Sequence, residues 1–267
     1  MHRALTVLGY IGSILIGLTL GLLGSGGSIL TVPVLVYLLH YSPVTATGYS
    51  LFIVGFTALV GATNYMRKRL VDYTTAMLFA VPSFISVYIV RRFFLPLVPE
   101  KIVEAGSFVL HKDLFIMLIF AVMMIAAGYS MVRNRLGDKN EKKTFNYPRI
   151  AQQGFIVGAI TGLVSVGGGF LIIPSLVLFA KVPIRMAVGT SLIIIATNAL
   201  VGFTGELHNN PNVDWYFLFY FCLFSVAGII AGSTISHYIP SEKLKPLFGW
   251  FVLVMGGYIV VKELFRF

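Results

Sequence analysis

The amino-acid sequence predicts an all-α, polytopic membrane protein made of two inverted repeats with five helical segments each. The 267 residues are 57% hydrophobic and only 11% charged, whereas about a quarter of the residues of a soluble domain are charged. Long apolar runs alternate with short polar loops, and about 20 apolar residues span a bilayer. A pattern of glycines and prolines also occurs twice along the chain.

Ten apolar segments follow one another in two sets of five. The first set occupies 4–23, 29–40, 43–66, 73–94 and 113–132, and the second occupies 150–165, 170–181, 183–205, 215–238 and 244–264. The second segment of each set is short and follows a glycine break, which is typical of a half-helix. We therefore expect eight to ten membrane segments. The first run is too long for a signal peptide and has no cleavage site, so it predicts a retained helix.

The two sets are copies of one sequence. A shift of 141 residues aligns 21–63 with the second set without a gap, and one residue of slip then aligns Val71-Asp72-Tyr73 with Val213-Asp214-Trp215. The matches include Gly26/Gly167, Gly27/Gly168, Pro33/Pro174, Ala46/Ala187, Gly48/Gly189 and Ser50/Ser191. Shared apolar composition does not by itself produce matched glycines, prolines and aspartates. The sequence predicts a duplication, with repeats at 1–133 and 149–267.

The charges predict that the repeats are inverted. The loop after the third segment carries Arg67, Lys68 and Arg69, whereas the equivalent stretch 206–214 has no lysine or arginine. Basic loops are cytoplasmic, so these loops lie on opposite sides of the membrane. The linker 134–148 is also basic, and we expect it in the cytoplasm with both termini outside. The net charge of +10 then reflects positive-inside topology rather than nucleic-acid binding.

The membrane segments are almost free of charge. Asp, Glu, Lys and Arg are absent from 4–65, 73–90, 114–132, 150–180, 186–205 and 215–236. Ionisable groups within membranes mark proton relays and ion pathways, so a carboxylate-driven proton antiporter and an intramembrane hydrolase are disfavoured. There is no zinc-binding H-E-x-x-H motif, and Cys222 is the single cysteine. We expect no catalytic residues, no metal and no cofactor.

The paired glycine breaks are the candidate site. Irregular backbone at membrane depth persists only where protein or a water-filled cavity satisfies it, and the N-terminus of the following half-helix attracts anions. The alternative is that the breaks are plain packing kinks. For Gly17, Gly21, Gly158 and Gly162, whose four-residue spacing is typical of helix contacts, we expect close-packing faces between helices rather than ligand contacts. The candidate binding residues are Ser25, Gly26, Gly27, Ser28, Thr31, Ser50, Ser165, Gly167, Gly168, Gly169, Thr190, Ser191 and Asn198.

These motifs resemble the TauE/SafE family of membrane transporters, the sulfite-exporter type. The resemblance rests on the glycine break followed by proline, then Ala-x-Gly-x-Ser-Leu and a Val-Asp-aromatic start, all duplicated. It covers about 10–262, and the second half, from Ala187 to Leu192, is the closer match. The first half has Tyr49 where the family commonly has threonine, and keeps Ser50. The resemblance implies transport of sulfite, organosulfonates or related small anions.

The sequence thus predicts a transporter of a small sulfur-containing anion, by export or electrogenic uniport, with the anion bound at the bilayer midplane between the breaks. A carrier of another small carboxylate or of a neutral solute is the alternative within transport, and an intramembrane enzyme or an assembly factor is the alternative of another class. The expected partners are the small anionic substrate and the lipid bilayer, with a second copy of the chain in a homodimer as an open alternative, and no nucleic acid is expected. The expected location is the prokaryotic inner (cell) membrane.

Overall fold

The computed structural model describes residues 2–24, 26–94, 97, 99, 101–105, 108–133, 147–164, 169–178, 180–209, 213–236 and 238–264. The first half contains α1 (His2–Leu23), α2 (Gly26–Pro33), α3 (Pro43–Arg67), α4 (Tyr73–Ile89) and α5 (Lys112–Arg133). The second half contains α6 (Tyr147–Val164), α7 (Gly169–Leu178), α8 (Ile184–Asn209), α9 (Trp215–Ile235) and α10 (Ser241–Leu264). The predicted order of long and short segments is confirmed in both halves.

Three details differ from the segments expected. The short helix α2 begins at the glycines themselves and continues into a π-helical turn at Val34–Leu38. A second π-helical turn, Val90–Phe94, extends α4. The connection between α4 and α5 holds an antiparallel hairpin of strands β1 (Lys101–Ala105) and β2 (Phe108–His111). Most of the linker, 134–146, lies outside the described residues, and α6 begins two residues before the predicted repeat boundary.

Four helices of the described chain are long and apolar enough to cross a membrane: Pro43–Arg67, Tyr73–Phe94, Ile184–Leu207 and Trp215–Ile235. Shorter apolar stretches occupy Leu8–Leu23, Met117–Ala126 and Gly249–Lys262. Large apolar side chains are exposed along these helices, for example Phe219 at 66% and Val254 at 65%. An outward apolar surface on a helical bundle is what a bilayer requires. The protein is an all-α membrane protein apart from the small hairpin.

Side-chain caps set the starts of three helices. Ser42 accepts a hydrogen bond from the Thr45 N–H at 3.2 Å, next to a proline in the first turn of α3. Asp72 accepts from the Thr75 N–H at 3.1 Å, and Asp214 accepts from the Phe217 N–H at 3.0 Å. Such caps satisfy the free N–H groups of a first helical turn. The two repeated aspartates therefore cap equivalent helices, α4 and α9.

Glycines let the first helix of each half pack directly on the fourth helix of the other half. A Cβ atom on Gly17 of α1 would lie 1.9 Å from the Ser225 carbonyl oxygen of α9, and one on Gly158 of α6 would lie 2.4 Å from the Ser83 carbonyl oxygen of α4. Only glycine permits such backbone contact. The repeat relates Gly17 to Gly158 and Ser83 to Ser225. The same glycine-to-carbonyl contact therefore occurs once in each of the two helix pairs. The expected glycine packing faces are confirmed.

The third helices of the two halves pack against each other in opposite directions. A Cβ atom on Gly48, early in α3, would lie 2.7 Å from Glu206 Cγ, late in α8. A Cβ atom on Gly189, early in α8, would lie 3.0 Å from Tyr65 Cβ, late in α3. These contacts are reciprocal under the repeat, as a two-fold axis requires. Equivalent membrane helices that run antiparallel belong to inverted halves, so the predicted inversion is confirmed.

We expect Gly17→Ala to destabilise the protein, because its methyl group would overlap the Ser225 carbonyl oxygen of α9. Overpacking of this kind costs about 1–3 kcal/mol, which thermal unfolding in detergent would register as a lower midpoint. Gly257→Ala is the matched control, since nothing lies within 4 Å of a Cβ atom there. An unchanged midpoint for Gly17→Ala would contradict backbone contact between α1 and α9.

Candidate functional site

The first glycine break lies between α1 and α2. Gly24 has a φ of 71°, a left-handed conformation that glycine adopts without strain. Its N–H donates to the Leu20 carbonyl oxygen at 2.7 Å, so Gly24 terminates α1 as a glycine C-cap does. The helix α2 then starts at Gly26. The predicted interruption of the first hydrophobic run is therefore confirmed.

This break packs against helices of the opposite half. A Cβ atom on Gly24 would lie 2.8 Å from Val188 Cγ1 of α8 and 3.1 Å from Ile173 Cδ1 of α7. The buried Ser191 hydroxyl donates to the Val188 carbonyl oxygen at 2.8 Å and lies 3.4 Å from the Gly24 carbonyl oxygen. A hydroxyl of the second half thus stands beside the carbonyl that ends α1, two residues before α2 begins.

Two of the predicted site residues make contacts that serve packing. The Thr31 hydroxyl donates to the Gly27 carbonyl oxygen of its own helix at 2.8 Å. A Cβ atom on Gly27 would lie 2.2 Å from the Ile16 carbonyl oxygen and 2.7 Å from Leu20 Cβ. At Gly27 the backbone of α2 therefore lies directly against α1. A bulky residue at this position would disturb helix packing whether or not a ligand binds nearby.

The second break lies mostly outside the described residues. Ser165, Gly167 and Gly168 belong to that group, as does Ser25 of the first break. Gly169 begins α7, and Gly26 and Ser28 lie in α2. Ser50 of α3 is the repeat equivalent of Ser191. Its hydroxyl is fully buried and has no hydrogen-bond partner among the described residues.

Near the middle of α3 and α8, polar side chains link the halves in two equivalent pairs. Asn198 Nδ2 donates to Ser83 Oγ at 2.6 Å, and Thr57 Oγ1 donates to Ser225 Oγ at 3.1 Å. Asn198 is 4% exposed, and its Oδ1 atom has no hydrogen-bond partner in the described part of the chain. Because a buried acceptor without a partner costs free energy, Asn198 is a candidate ligand as well as a link between helices.

Two further hydrogen bonds join the halves closer to the membrane surfaces. The Asp72 N–H donates to Thr190 Oγ1, and the Asp214 N–H donates to the Tyr49 hydroxyl, both at 2.9 Å. The repeat relates Tyr49 to Thr190 and Asp72 to Asp214. Tyr49 stands where the family commonly has threonine. Its hydroxyl accepts the hydrogen bond equivalent to the one that Thr190 accepts in the other half. Thr190 acts here as a link between helices.

Sequence reasoning missed Arg185, which lies in the first turn of α8, three residues before Val188. One guanidinium nitrogen donates to the Ile239 carbonyl oxygen at 3.1 Å, and Nε is buried without a partner among the described residues. The repeat equivalent is the uncharged Val44, and this one-sided charge was the available signal. No group of three or more His, Cys, Asp or Glu in the described regions is placed to hold a metal ion.

Two interlocked, inverted halves with a broken helix in each define the architectural class of secondary transporters. The comparison with known families agrees: the profile described as sulfite exporter TauE/SafE matches residues 10–263. That match spans nearly the whole chain. The protein belongs to the TauE/SafE family.

Named relatives extend over the same length. A "Probable membrane transporter protein" of Xylella fastidiosa is 27% identical over 92% of this chain and 91% of its own length. The "Probable membrane transporter protein YunE" of Bacillus subtilis is 25% identical over 98% of both chains. A "Probable membrane transporter protein" of Haemophilus influenzae is 25% identical over 91% of this chain and 93% of its own. No solved structure shows significant similarity to the chain.

We expect Ser83→Ala to lower the free energy of unfolding in mixed micelles by about 1–3 kcal/mol, because it leaves the buried Asn198 amide without its partner. Denaturant titration measures the change. Thr197→Val is the matched control, since the Thr197 hydroxyl is exposed and bonds to its own helix at Ile193. Equal stability of Ser83→Ala and wild type would argue against a hydrogen bond between α4 and α8.

Proposed function

We propose that the protein carries a small sulfur-containing anion, such as sulfite or an organosulfonate, across a prokaryotic cell membrane. The observation that supports this most is the break at Gly24, which packs against Val188 of α8 beside the buried Ser191 hydroxyl, two residues before α2 begins. The family description names sulfite export. The relatives' names specify membrane transport and no substrate.

The chemistry of the break suits an anion. The first turn of a helix presents free N–H groups and the positive end of the helix dipole, and α2 begins within two residues of Gly24. Ser50 and Asn198 add a buried hydroxyl and a buried amide that lack a full set of partners among the described residues. Partial charges bind an anion less tightly than a fixed cation would. A carrier benefits from that, because it must also release its substrate.

Arg185 extends this site toward the cytoplasm in our proposal. It lies on the same side of α8 as Val188, which touches the break, and it precedes Val188 by one helical turn. The basic loop Arg67–Arg69 marks that end of the protein as cytoplasmic. A guanidinium with an unused N–H attracts an anion that approaches from the cell interior. The charge is present on this side only, which favours export.

The alternatives differ in which observation supports them. A small carboxylate fits the same N–H groups and hydroxyls. The preference for a sulfur anion over a carboxylate therefore rests on the family description, which names sulfite. A neutral solute would gain nothing from Arg185. An intramembrane enzyme needs a pair of ionisable groups, and the interior of α8 between 186 and 205 carries none. An assembly factor would not require a hydroxyl-lined break inside the bundle.

The test is anion flux from proteoliposomes loaded with sulfite, sulfoacetate, taurine, sulfate or acetate, with the potential clamped by K⁺ and valinomycin. We expect sulfite or a sulfonate to move fastest, without a Na⁺ or pH gradient. An interior at −100 mV should support an efflux gradient of roughly fifty-fold for a monovalent anion, since one charge moved through 100 mV is worth about 2.3 kcal/mol. Ser191→Ala should slow the flux, with Thr197→Val on the same helix as control.

Two results would contradict this function. Flux that ignores the voltage but follows a Na⁺ or proton gradient would exclude uniport. Equal rates for all five solutes, or acetate faster than every sulfur anion, would exclude a sulfur-anion carrier.

We expect Arg185→Gln to raise the KM for anion efflux about ten-fold from the cytoplasmic side, because it removes the positive charge next to the break. Arg185→Lys should recover part of the affinity, since lysine keeps the charge but not the planar guanidinium. Lys68→Gln is the matched control: it removes an exposed cytoplasmic charge away from the break. If Lys68→Gln and Arg185→Gln raise KM equally, the effect is general surface charge rather than a site.

A further inference from the structure

Three aromatic rings cluster where α3 begins and α9 begins. The ring centroids of Tyr41 lie 5.3 Å from those of Tyr49 and of Phe217, and the centroids of Tyr49 and Phe217 are 5.9 Å apart. The Tyr49 hydroxyl also accepts a hydrogen bond from the Asp214 N–H, immediately before α9 begins at Trp215. Rings at these distances attract one another and exclude water. The start of α9 is therefore held on α3 by a cluster of rings together with a hydrogen bond.

The equivalent position in the other half has the hydrogen bond but no rings. Tyr41, Tyr49 and Phe217 correspond to Val182, Thr190 and Thr75. Thr190 accepts the Asp72 N–H at 2.9 Å, so the backbone link is retained. The three corresponding side chains are small and carry no ring, and the Thr75 hydroxyl is fully buried with no partner in the described part of the chain.

Because the halves are inverted, these two positions lie at opposite sides of the membrane. Asp72 follows the basic residues Arg67–Arg69 by a few positions, so the Thr190 link is cytoplasmic. Tyr49 and Asp214 lie next to the connection between α8 and α9, at the outer side. The two sides are thus matched in backbone geometry and unmatched in the strength of their side-chain contacts.

We propose that Tyr41, Tyr49 and Phe217 form the outer gate of the transport pathway, and that the weaker Thr190–Asp72 link is the inner gate. The proposal rests on the transport function above. Opening the outer side separates three rings, whereas opening the inner side breaks a hydrogen bond between small residues and frees the buried Thr75 hydroxyl. The unloaded carrier accordingly rests closed outside and opens toward the cytoplasm, where an exported anion enters.

The test measures access to the two equivalent serines with a membrane-impermeant thiol reagent. Ser50→Cys and Ser191→Cys are made separately in a Cys222→Ser background and labelled in right-side-out and inside-out vesicles. We expect Ser191→Cys to react from the cytoplasmic side at least ten-fold faster than Ser50→Cys reacts from outside. Replacing the outer residues by their inner counterparts, Tyr49→Thr with Phe217→Thr, should raise outside labelling of Ser50→Cys at least ten-fold.

Two variants distinguish the effect of losing the rings from a nonspecific disturbance of the structure. Tyr49→Phe keeps the ring and loses the hydroxyl, so it should label from outside much less than Tyr49→Thr, which keeps a hydroxyl and loses the ring. Phe219→Thr is the matched control, because Phe219 lies on α9 outside the cluster and is 66% exposed. It should leave labelling unchanged. Unfolding midpoints in detergent identify any variant that is simply misfolded.

The gate would be overturned if, with the native rings present, Ser191→Cys from the cytoplasmic side and Ser50→Cys from outside were labelled at equal rates. It would also be overturned if the Tyr49→Thr, Phe217→Thr variant stayed folded and showed no gain in outside labelling of Ser50→Cys. Labelling needs no substrate, so it is independent of which anion is carried. If the labelling shows the expected asymmetry but no sulfur-anion flux is measured, the gate is supported and the proposed substrate is rejected. Normal flux with symmetric labelling rejects the gate alone.

Discussion

Backbone contact between the two halves is the constraint on which the rest of the structure depends. In α1 and α6, glycines replace side chains where the helices meet α9 and α4, so that carbonyl oxygens of one half lie against Cα atoms of the other. In a bilayer, where lipid is as apolar as leucine, such close van der Waals packing is a main source of helix association. It also brings the end of α1, at Gly24, against α8 rather than against its own half.

The break beside Gly24 combines two functions that the sequence does not separate. Gly24 is needed for its left-handed conformation, and Gly27 is needed for close approach to α1. Neither requirement refers to a ligand. In the proposed site, the groups that would meet one are the N–H groups of the first turn of α2 and the Ser191 hydroxyl of the opposite half, which lies 3.4 Å from the Gly24 carbonyl oxygen. The proposal therefore assigns packing and binding to different faces of the same few residues.

Because of the duplication, the two halves share one arrangement of helices. The positions where their side chains differ indicate how the roles of the two halves diverged. The backbone link at Asp72 is conserved at Asp214, but its acceptor is Thr190 in one case and Tyr49 in the other. The longer Tyr49 side chain packs against Tyr41 and Phe217 and reaches the equivalent N–H. The second difference of this kind is at the repeat-equivalent positions 185 and 44, which hold Arg185 in the second half and Val44 in the first. Both differences distinguish the inner side of the membrane from the outer side.

The sequence by itself determined the helical segments, the duplication, the inversion and the breaks, because apolar length, glycine placement and loop charge are local properties of the chain. Only the tertiary structure decided what the glycines of the first break contact, since Gly27 meets α1 and Gly24 meets α8. It also decided that the Tyr49 hydroxyl makes the bond that Thr190 makes in the other half, and that Val188, one helical turn after Arg185, touches the break. These depend on contacts between helices far apart in the chain, and hydrophobic periodicity carries no information about which helices meet.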